Sequence, residues 1–564
     1  MGHDGWNQSP PSLAADTTTR QDLNGIANSR SQRDGARIPD GQGNGDEFSV
    51  GQDPDQIPSL ERTGSKVAVA PPSKTSALVA AHNEQMRSHA NTPSDFSSEE
   101  KKGFAAVARR VGNAMTKFSK FIGPGFMVSV AYIDPGNYST DVAAGSSYRF
   151  KLLFIILMSN LFAIFLQSLC VKLGTVTGMN LAEHCKANLP KWLNIVLYVF
   201  AESAIIATDI AEVIGSAIAL NLLLKIPLVA GCAITLVDVL VILFFYRPMG
   251  PLRNMRYFEF FVIALVLGVV VCFCIQLSFI HDATVGEVFR GYLPSSSIVE
   301  ANGLYLSCGI LGATVMPHSL YLGSGVVKSR VLDFDIQNGN ATEQSEDQDS
   351  DFPKYKPSLA AIKYCLSYSV AELAICLFSF ALFVNSAILI VAGASLSKNN
   401  SAEDADLFGI YHLLSRTLSP AAGTLFALAL LLSGTSAGII CTIAGQMVSE
   451  GQLNWSVAPW VRRLITRAIS ITPSIIIAAA VGKNGLTAAL NASQVALSVI
   501  LPFVSAPLIY FTCRNRFMTV STSDSDQDVG MGNSWFTNVL AVLIWLVIVI
   551  MNVSLLVLTG LGRI

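Results

Sequence analysis

Charge is scarce in this sequence. Asp, Glu, Lys and Arg make up 14% of the 564 residues, hydrophobic residues make up 51%, and the mean hydropathy is +0.47. Soluble domains carry about 25% charged residues, so a soluble globular protein is excluded. The 38 basic and 40 acidic side chains nearly cancel, to a formal net charge of −2, which leaves no basic surplus for a nucleic acid or another polyanion. Ten cysteines are present, but none has zinc-site spacing: Cys272 and Cys274 are too close together and sit inside an apolar run. Cys170, Cys232, Cys308, Cys365, Cys376 and Cys441 also lie in or beside apolar segments, where cysteine acts as a small buried hydrophobe, and no disulfide framework follows. No apolar signal-peptide core stands at the N-terminus, so no cleavable signal is expected. Nor is there a nucleophile–base arrangement or a phosphate-cradling loop, so the chain is not read as an enzyme.

What the chain has in abundance is long apolar runs. Residues 1–100 are rich in Ser, Asp, Gln, Asn, Gly and Pro. Such a composition cannot offset chain entropy by burial, and these residues are read as a disordered cytoplasmic tail. Residues 101–564 are read as one membrane domain, introduced by the basic run Lys101, Lys102, Arg109, Arg110, Lys117 and Lys120, a positive-inside anchor. Spans are expected near 121–146, 152–173, 193–222, 226–246, 256–280, 301–327, 360–393, 419–448, 463–482, 486–512 and 534–560, each of the length a bilayer requires. The expected fold is therefore an all-α polytopic membrane protein of about eleven transmembrane helices. With the N-terminus cytoplasmic, the inside loops hold sixteen Lys and Arg against eight outside, which places the C-terminus outside. The acidic stretch Asp333–Asp351 is expected to be a solvated cytoplasmic connector, and Asn399-Asn400-Ser401 is a weak glycosylation sequon.

Two of these runs are interrupted. The first reads Ala131-Tyr132-Ile133-Asp134-Pro135-Gly136-Asn137. Pro135 has no N–H to give the carbonyl four residues back, so the Ala131 carbonyl should be left free. A carboxylate at this depth costs about 2.5–3.5 kcal/mol on insertion scales, which makes a decorative Asp134 improbable. In the second run, Met316-Pro317-His318 follows Gly309–Val315, and Pro317 should free the Ala313 carbonyl. A lone proline can be an ordinary kink. Interrupted helices in corresponding halves instead point to a transporter's midplane site. If segments 1–5 and 6–10 are two inverted repeats, the breaks fall in the first segment of each, with segment 11 outside the repeat.

Further charges need a reason. Glu202, Asp209 and Glu212 lie seven and three residues apart in segment 3, roughly on one helical face. Acids so placed face the bundle interior or water and build proton relays, or else bond neighbouring helices. Arg330, at the inner end of segment 6, is a candidate partner for them, or a positive-inside anchor. Glu259 and Glu372 are given structural roles, and Gln167 and Gln494 read first as bonds between helices. His318 lies one residue past Pro317. Metal ligation, a neighbouring bond and proton handling are all open to it, and proton handling comes first beside an acid site. At the breaks themselves, Asp134, Asn137 and the freed carbonyls offer hard oxygens, while Met316 offers a thioether. Methionine ordinarily fills gaps in a core. Beside a helix break and opposite a carboxylate it reads as a ligand, and the mixed donor set favours Mn²⁺ or Fe²⁺ over Ca²⁺ or Mg²⁺.

Together Asp134-Pro135-Gly136-Asn137 and Met316-Pro317-His318 resemble the natural resistance-associated macrophage protein (NRAMP) family of divalent-metal transporters. Leu166-Gln167-Ser168-Leu169, Ala207–Ser216, Phe383–Ala387 and Ser493-Gln494-Val495 support the resemblance, which spans about residues 115–560 and suggests a fungal-type member. It implies a LeuT-like fold and proton-coupled import of divalent metal into the cytoplasm by alternating access. The implied metal ligands are Asp134, Asn137, Met316 and the carbonyls of Ala131 and Ala313, joined in some states by Gln494. The implied proton route is Asp134, His318, Glu202, Asp209, Glu212 and Arg330. Metal ions and protons are cargo in this reading, the lipid bilayer is the surrounding partner, and no resident cofactor is implied. Two positions depart from the family pattern: Gly323 where many relatives have a second histidine, and Thr435 where a glutamine is common. The rival readings are a transporter-like metal sensor with little turnover and an amine or amino-acid symporter of the same architecture.

Overall fold

A computed structural model describes residues 123–245, 252–280, 283–341, 355–396, 406–417, 419–454, 459–520 and 528–563. The N-terminal tail, the basic run at 101–120, most of the acidic connector, the sequon at Asn399 and the Glu259 side chain lie outside the described residues. The rest is helical apart from short turns and one two-stranded hairpin, β1 (Thr519–Val520) against β2 (Val529–Gly530).

The helices follow the apolar runs. In chain order they are α1 (Pro124–Val130), α2 (Pro135–Tyr148), α3 (Leu153–Thr177), α4 (Leu181–Asn188), α5 (Lys191–Leu224), α6 (Leu228–Phe245), α7 (Leu252–Ser278) and α8 (Val285–Gly291). Next come α9 (Ala301–Thr314), α10 (Pro317–Gly325), α11 (Lys328–Gln337), α12 (Leu359–Cys376), α13 (Leu382–Ser395) and α14 (Leu407–Thr417). The last four are α15 (Pro420–Leu453), α16 (Pro459–Ala480), α17 (Lys483–Thr512) and α18 (Trp535–Gly560). All eleven expected segments map onto these helices. Eight helical stretches among the described residues are long and apolar enough to cross a membrane, counting Ala301–Gln337 (α9 to α11) and Leu359–Ser395 (α12 to α13) as one each. The other three segments are the first, which its break divides into α1 and α2, and the shorter apolar stretches Leu228–Val237 and Leu464–Ala480. The protein is an all-α polytopic membrane protein.

Proline sets the boundaries that matter. Pro124, Pro135, Pro317 and Pro420 each open a helix, where the missing N–H has no intrahelical partner to lose. Segment 7 is expected as one helix over 360–393, and it runs from α12 into α13 through a π-helical turn at Leu377–Ala381. The extra residue in that turn rotates α13 relative to α12. Helices α5 and α15, the longest, pack together at the centre, with α7 on α15, α17 on α5 and α13 on α2. By contrast α18 leaves Val542, Leu543, Ile550, Val553, Leu556 and Val557 exposed, as an added lipid-facing helix would.

Glu372 shows why a buried acid can be structural. Its Oε1 accepts from the backbone N–H groups of Gly123 at 2.6 Å and Gly125 at 3.2 Å. These are free donors at the start of α1, whose own N-cap residue supplies no side chain. Outside the spans, α4 begins with a capping box between Asn180 and Glu183 and buries His184, whose Nε2 lies 2.8 Å from the Thr177 hydroxyl. Burial, with Lys328 adding, lowers the His184 pKa from 6.5 to about 4. The unfolded chain therefore binds the proton near pH 6.5 and the folded chain only near 4, so stability falls as pH drops through that window. The thermal midpoint of detergent-solubilised protein should fall between pH 6.5 and 4, and His184→Gln should flatten the fall. An identical pH slope in the variant would contradict this assignment.

Candidate metal site

The first break is held by the groups that proline and aspartate leave unpaired. After α1, the N–H groups of Ala131, Tyr132 and Ile133 each bond three residues back, at 3.1 Å. Asp134 then adopts an extended conformation (φ −120°, ψ 166°), and its Oδ1 accepts from the Asn137 N–H at 2.9 Å, capping α2. In a continuous helix that N–H would go to the Ile133 carbonyl. Ile133 O instead accepts from the Ser433 hydroxyl of α15 at 2.7 Å. Ala131 closes α1 as its C-cap residue, and the carbonyls turned to side chains are the next two, Tyr132 and Ile133.

The second break repeats the pattern. Val315 N bonds Leu311 O at 2.8 Å, Met316 is extended (φ −70°, ψ 127°), and Pro317 opens α10. Met316 is fully buried. The Ala313 carbonyl, which Pro317 cannot satisfy, accepts from the Asn137 side-chain amide Nδ2 at 3.0 Å. The same nitrogen donates to Asp134 Oδ1 at 2.7 Å and Tyr132 O at 3.2 Å. Three oxygens from two different broken helices thus converge on one amino group. Asn385 of α13 completes the surround, donating to Tyr132 O at 3.1 Å and Asn137 Oδ1 at 3.4 Å. Asp134 Oδ2 and Gln494 Oε1 are buried without hydrogen-bond partners among the described residues. Gln494 lies directly against Gly136, where any added Cβ would collide with its amide. Asp134, Asn137, Ala313 and Gln494 therefore share one buried, oxygen-rich place.

The segment-3 acids form a second group. His318 Nδ1 is 3.4 Å from the hydroxyl of Thr208, the residue before Asp209. Asp209 and Glu212 both pair with Arg467 of α16, at 3.3 and 3.4 Å, and all three side chains are buried. Ser470 adds a hydroxyl 3.4 Å from Asp209 Oδ2. Further along α5, Glu202 pairs with Arg462 at 3.0 Å. The guanidinium groups seen on these acids come from α16, whereas the expected Arg330 stands on α11. Arg467 was readable as a charge four residues inside an expected span, a position that demands a counter-ion. Nothing in the sequence indicated Ser433 or which carbonyl would need it.

Both departures have local consequences. Gly323 packs against the Gln167 side chain, leaving no room there for a histidine. Gln167 Nε2 reaches the Tyr132 hydroxyl at 2.9 Å and both Ser319 oxygens at 3.0 Å. Thr435 turns its hydroxyl onto Leu431 and Leu432 carbonyls of its own helix.

A profile of the family described as natural resistance-associated macrophage protein-like matches residues 125–558, which covers both breaks and all the acids above. The chain belongs to the NRAMP family. Among its relatives, the manganese transporter SMF1 of Saccharomyces cerevisiae is 49% identical over 84% of this chain and 91% of its own length. The iron transporter SMF3 of the same yeast is 55% identical over 72% and 84%. A crystal structure of the Eremococcus coleocola manganese transporter superposes with a TM-score of 0.64 at 32% identity, over 77% of this chain and 85% of that one. The fungal relatives agree with a fungal-type NRAMP member. Replacing Gly323→His should displace Gln167 from Tyr132 and Ser319 and destabilise the protein by about 1–3 kcal/mol, the cost of stranding buried partners. Thermal unfolding in detergent measures this, and an unchanged midpoint would contradict the packing described.

Proposed function

We propose that this NRAMP member is a proton-coupled symporter that carries Mn²⁺, Fe²⁺ and related divalent transition metals into the cytoplasm by alternating access. The observation that carries the reading is the meeting of Asp134, Tyr132 and Ala313 oxygens at the Asn137 amide, beside a second break that carries Met316. The amino group there makes the contacts a small cation would make. When the ion arrives, the Asn137 amide turns its oxygen inward and the ion replaces the amino group among hard oxygens. Met316 supplies the sulfur that favours a later transition metal over Ca²⁺ or Mg²⁺, and Gln494 and the Ala131 carbonyl complete the shell as the helices move.

Asp134 links metal to proton. A dication at its carboxylate favours the charged form, so a proton leaves as metal binds. His318 stands between this site and segment 3. The Asp209–Glu212–Arg467 cluster and then the Glu202–Arg462 pair give the proton a polar route through α5 and α16; the resemblance adds Arg330, which stands on α11 at the inner end of segment 6. The route runs toward the cytoplasm in the orientation with a cytoplasmic N-terminus. The relatives named as manganese and iron transporters support this choice of cargo.

Mn²⁺ uptake into proteoliposomes, with and without an inward proton gradient and with excess Ca²⁺, tests the reading. Gradient-stimulated uptake that resists Ca²⁺ is expected in the wild type. Asp134→Asn should lose about a hundredfold in kcat/KM, an effect of roughly 2.7 kcal/mol, and Met316→Ala should keep uptake but become sensitive to Ca²⁺. Metal binding without uptake would move the protein to the sensor reading. Proton influx unchanged in the Asp209→Asn, Glu212→Gln double variant would overturn the coupling route.

A further inference from the structure

One buried acid takes no part in either group. Asp141 is fully buried on α2, seven residues past Asp134. Seven residues are two helical turns, so it shares the Asp134 face about 10 Å farther from α1. Neither carboxylate oxygen has a hydrogen-bond partner among the described residues.

Its surroundings are bracketed on both sides. One turn nearer the break, Asn137 meets Asn385 of α13. Three residues beyond Asp141, Ala144 enters an apolar cluster with Leu389 of α13, Leu153 and Ile156 of α3, and Ile310 of α9. Asp141 therefore sits in the layer between the oxygen-rich site and an apolar plug. A second polar side chain belongs to the same layer. Asn160 of α3 is fully buried with neither amide atom partnered. It lies one turn from Ile156 in the plug and two turns from Gln167, which bonds the Tyr132 hydroxyl at the break.

An acid in that position caps no helix and pairs with no base among the described residues. Leaving a buried polar group unpaired costs about 1–3 kcal/mol, and an unpaired ionised one costs several. An ionisable group at membrane depth with no structural bond marks an ion path. We infer that Asp141 is a second, transient binding carboxylate for the divalent cation, reached when the apolar plug parts, which holds the ion two turns from Asp134. The inference rests on the transport reading above. Asp141 and Asn160 offer oxygen donors in this layer, so it takes hard and borderline dications alike. Discrimination is left to the deeper position beside Met316.

Two measurements on the full chain test the inference. In proteoliposome uptake, Asp141→Asn should raise the KM for Mn²⁺ about tenfold with Vmax within about twofold, the pattern of a lost ground-state contact. Mn²⁺ titrations followed by electron paramagnetic resonance give a direct view. Asp134→Asn should retain weak Mn²⁺ binding that excess Ca²⁺ displaces, and Asp134→Asn with Asp141→Asn should lose it. Asp141→Ser serves as a second replacement, read the same way, if Asp141→Asn does not fold. A wild-type KM in the variant, or weak binding that survives the double substitution, overturns the inference. If the wild type takes up no Mn²⁺, the transport reading fails, and the titrations still decide whether Asp141 binds the cation.

Discussion

Everything at the centre of this protein depends on hydrogen bonds that two prolines cannot make. Pro135 and Pro317 withhold N–H groups in the middle of membrane-spanning runs, where no water is at hand to replace them. The chain answers by unwinding for a few residues and by recruiting side chains from elsewhere. Asp134 takes the Asn137 N–H, Ser433 takes up the Ile133 carbonyl, and Asn137 and Asn385 share the Tyr132 carbonyl. Each repair brings in an oxygen or an amide. The break is therefore polar because it is a break, and the proposed cation site follows from backbone bookkeeping before any side chain is chosen for its affinity.

The same logic distinguishes the two polar groups. The site at the breaks has more acceptors than donors and a single carboxylate, a balance suited to a cation that comes and goes. The segment-3 cluster is different: Asp209 and Glu212 share one guanidinium from Arg467, which stays with the protein. Two acids with one fixed positive charge are charge-balanced by one proton more readily than by a dication. His318, against Thr208, stands between the groups.

The parts legible in the sequence were those with short-range causes. Apolar length fixed the eleven segments, and Pro135 and Pro317 marked both breaks, because a missing N–H acts four residues away. The Ala313 carbonyl was readable for the same reason. Partnerships across the bundle were not readable. Arg467 and Asp209 lie 258 positions apart, Ser433 and Ile133 lie 300 apart, and only the packing of α16 on α5 and of α15 on α1 and α2 brings them together. Arg330 was named for its place at the inner end of segment 6 and from the family resemblance, and it stands on α11. Asp141 passed unnoticed because Ser139, Thr140, Ser146 and Ser147 around it make α2 look merely polar. Its isolation appears only when its neighbours are seen to bond elsewhere.

X-ray absorption at the manganese edge of the Mn²⁺-loaded protein tests the central claim most directly. A first shell of oxygens with one sulfur is expected, and the sulfur should vanish in Met316→Ala while oxygens from both breaks remain. An all-oxygen shell that is identical in the wild type and in Met316→Ala would contradict a site built where the two broken helices meet.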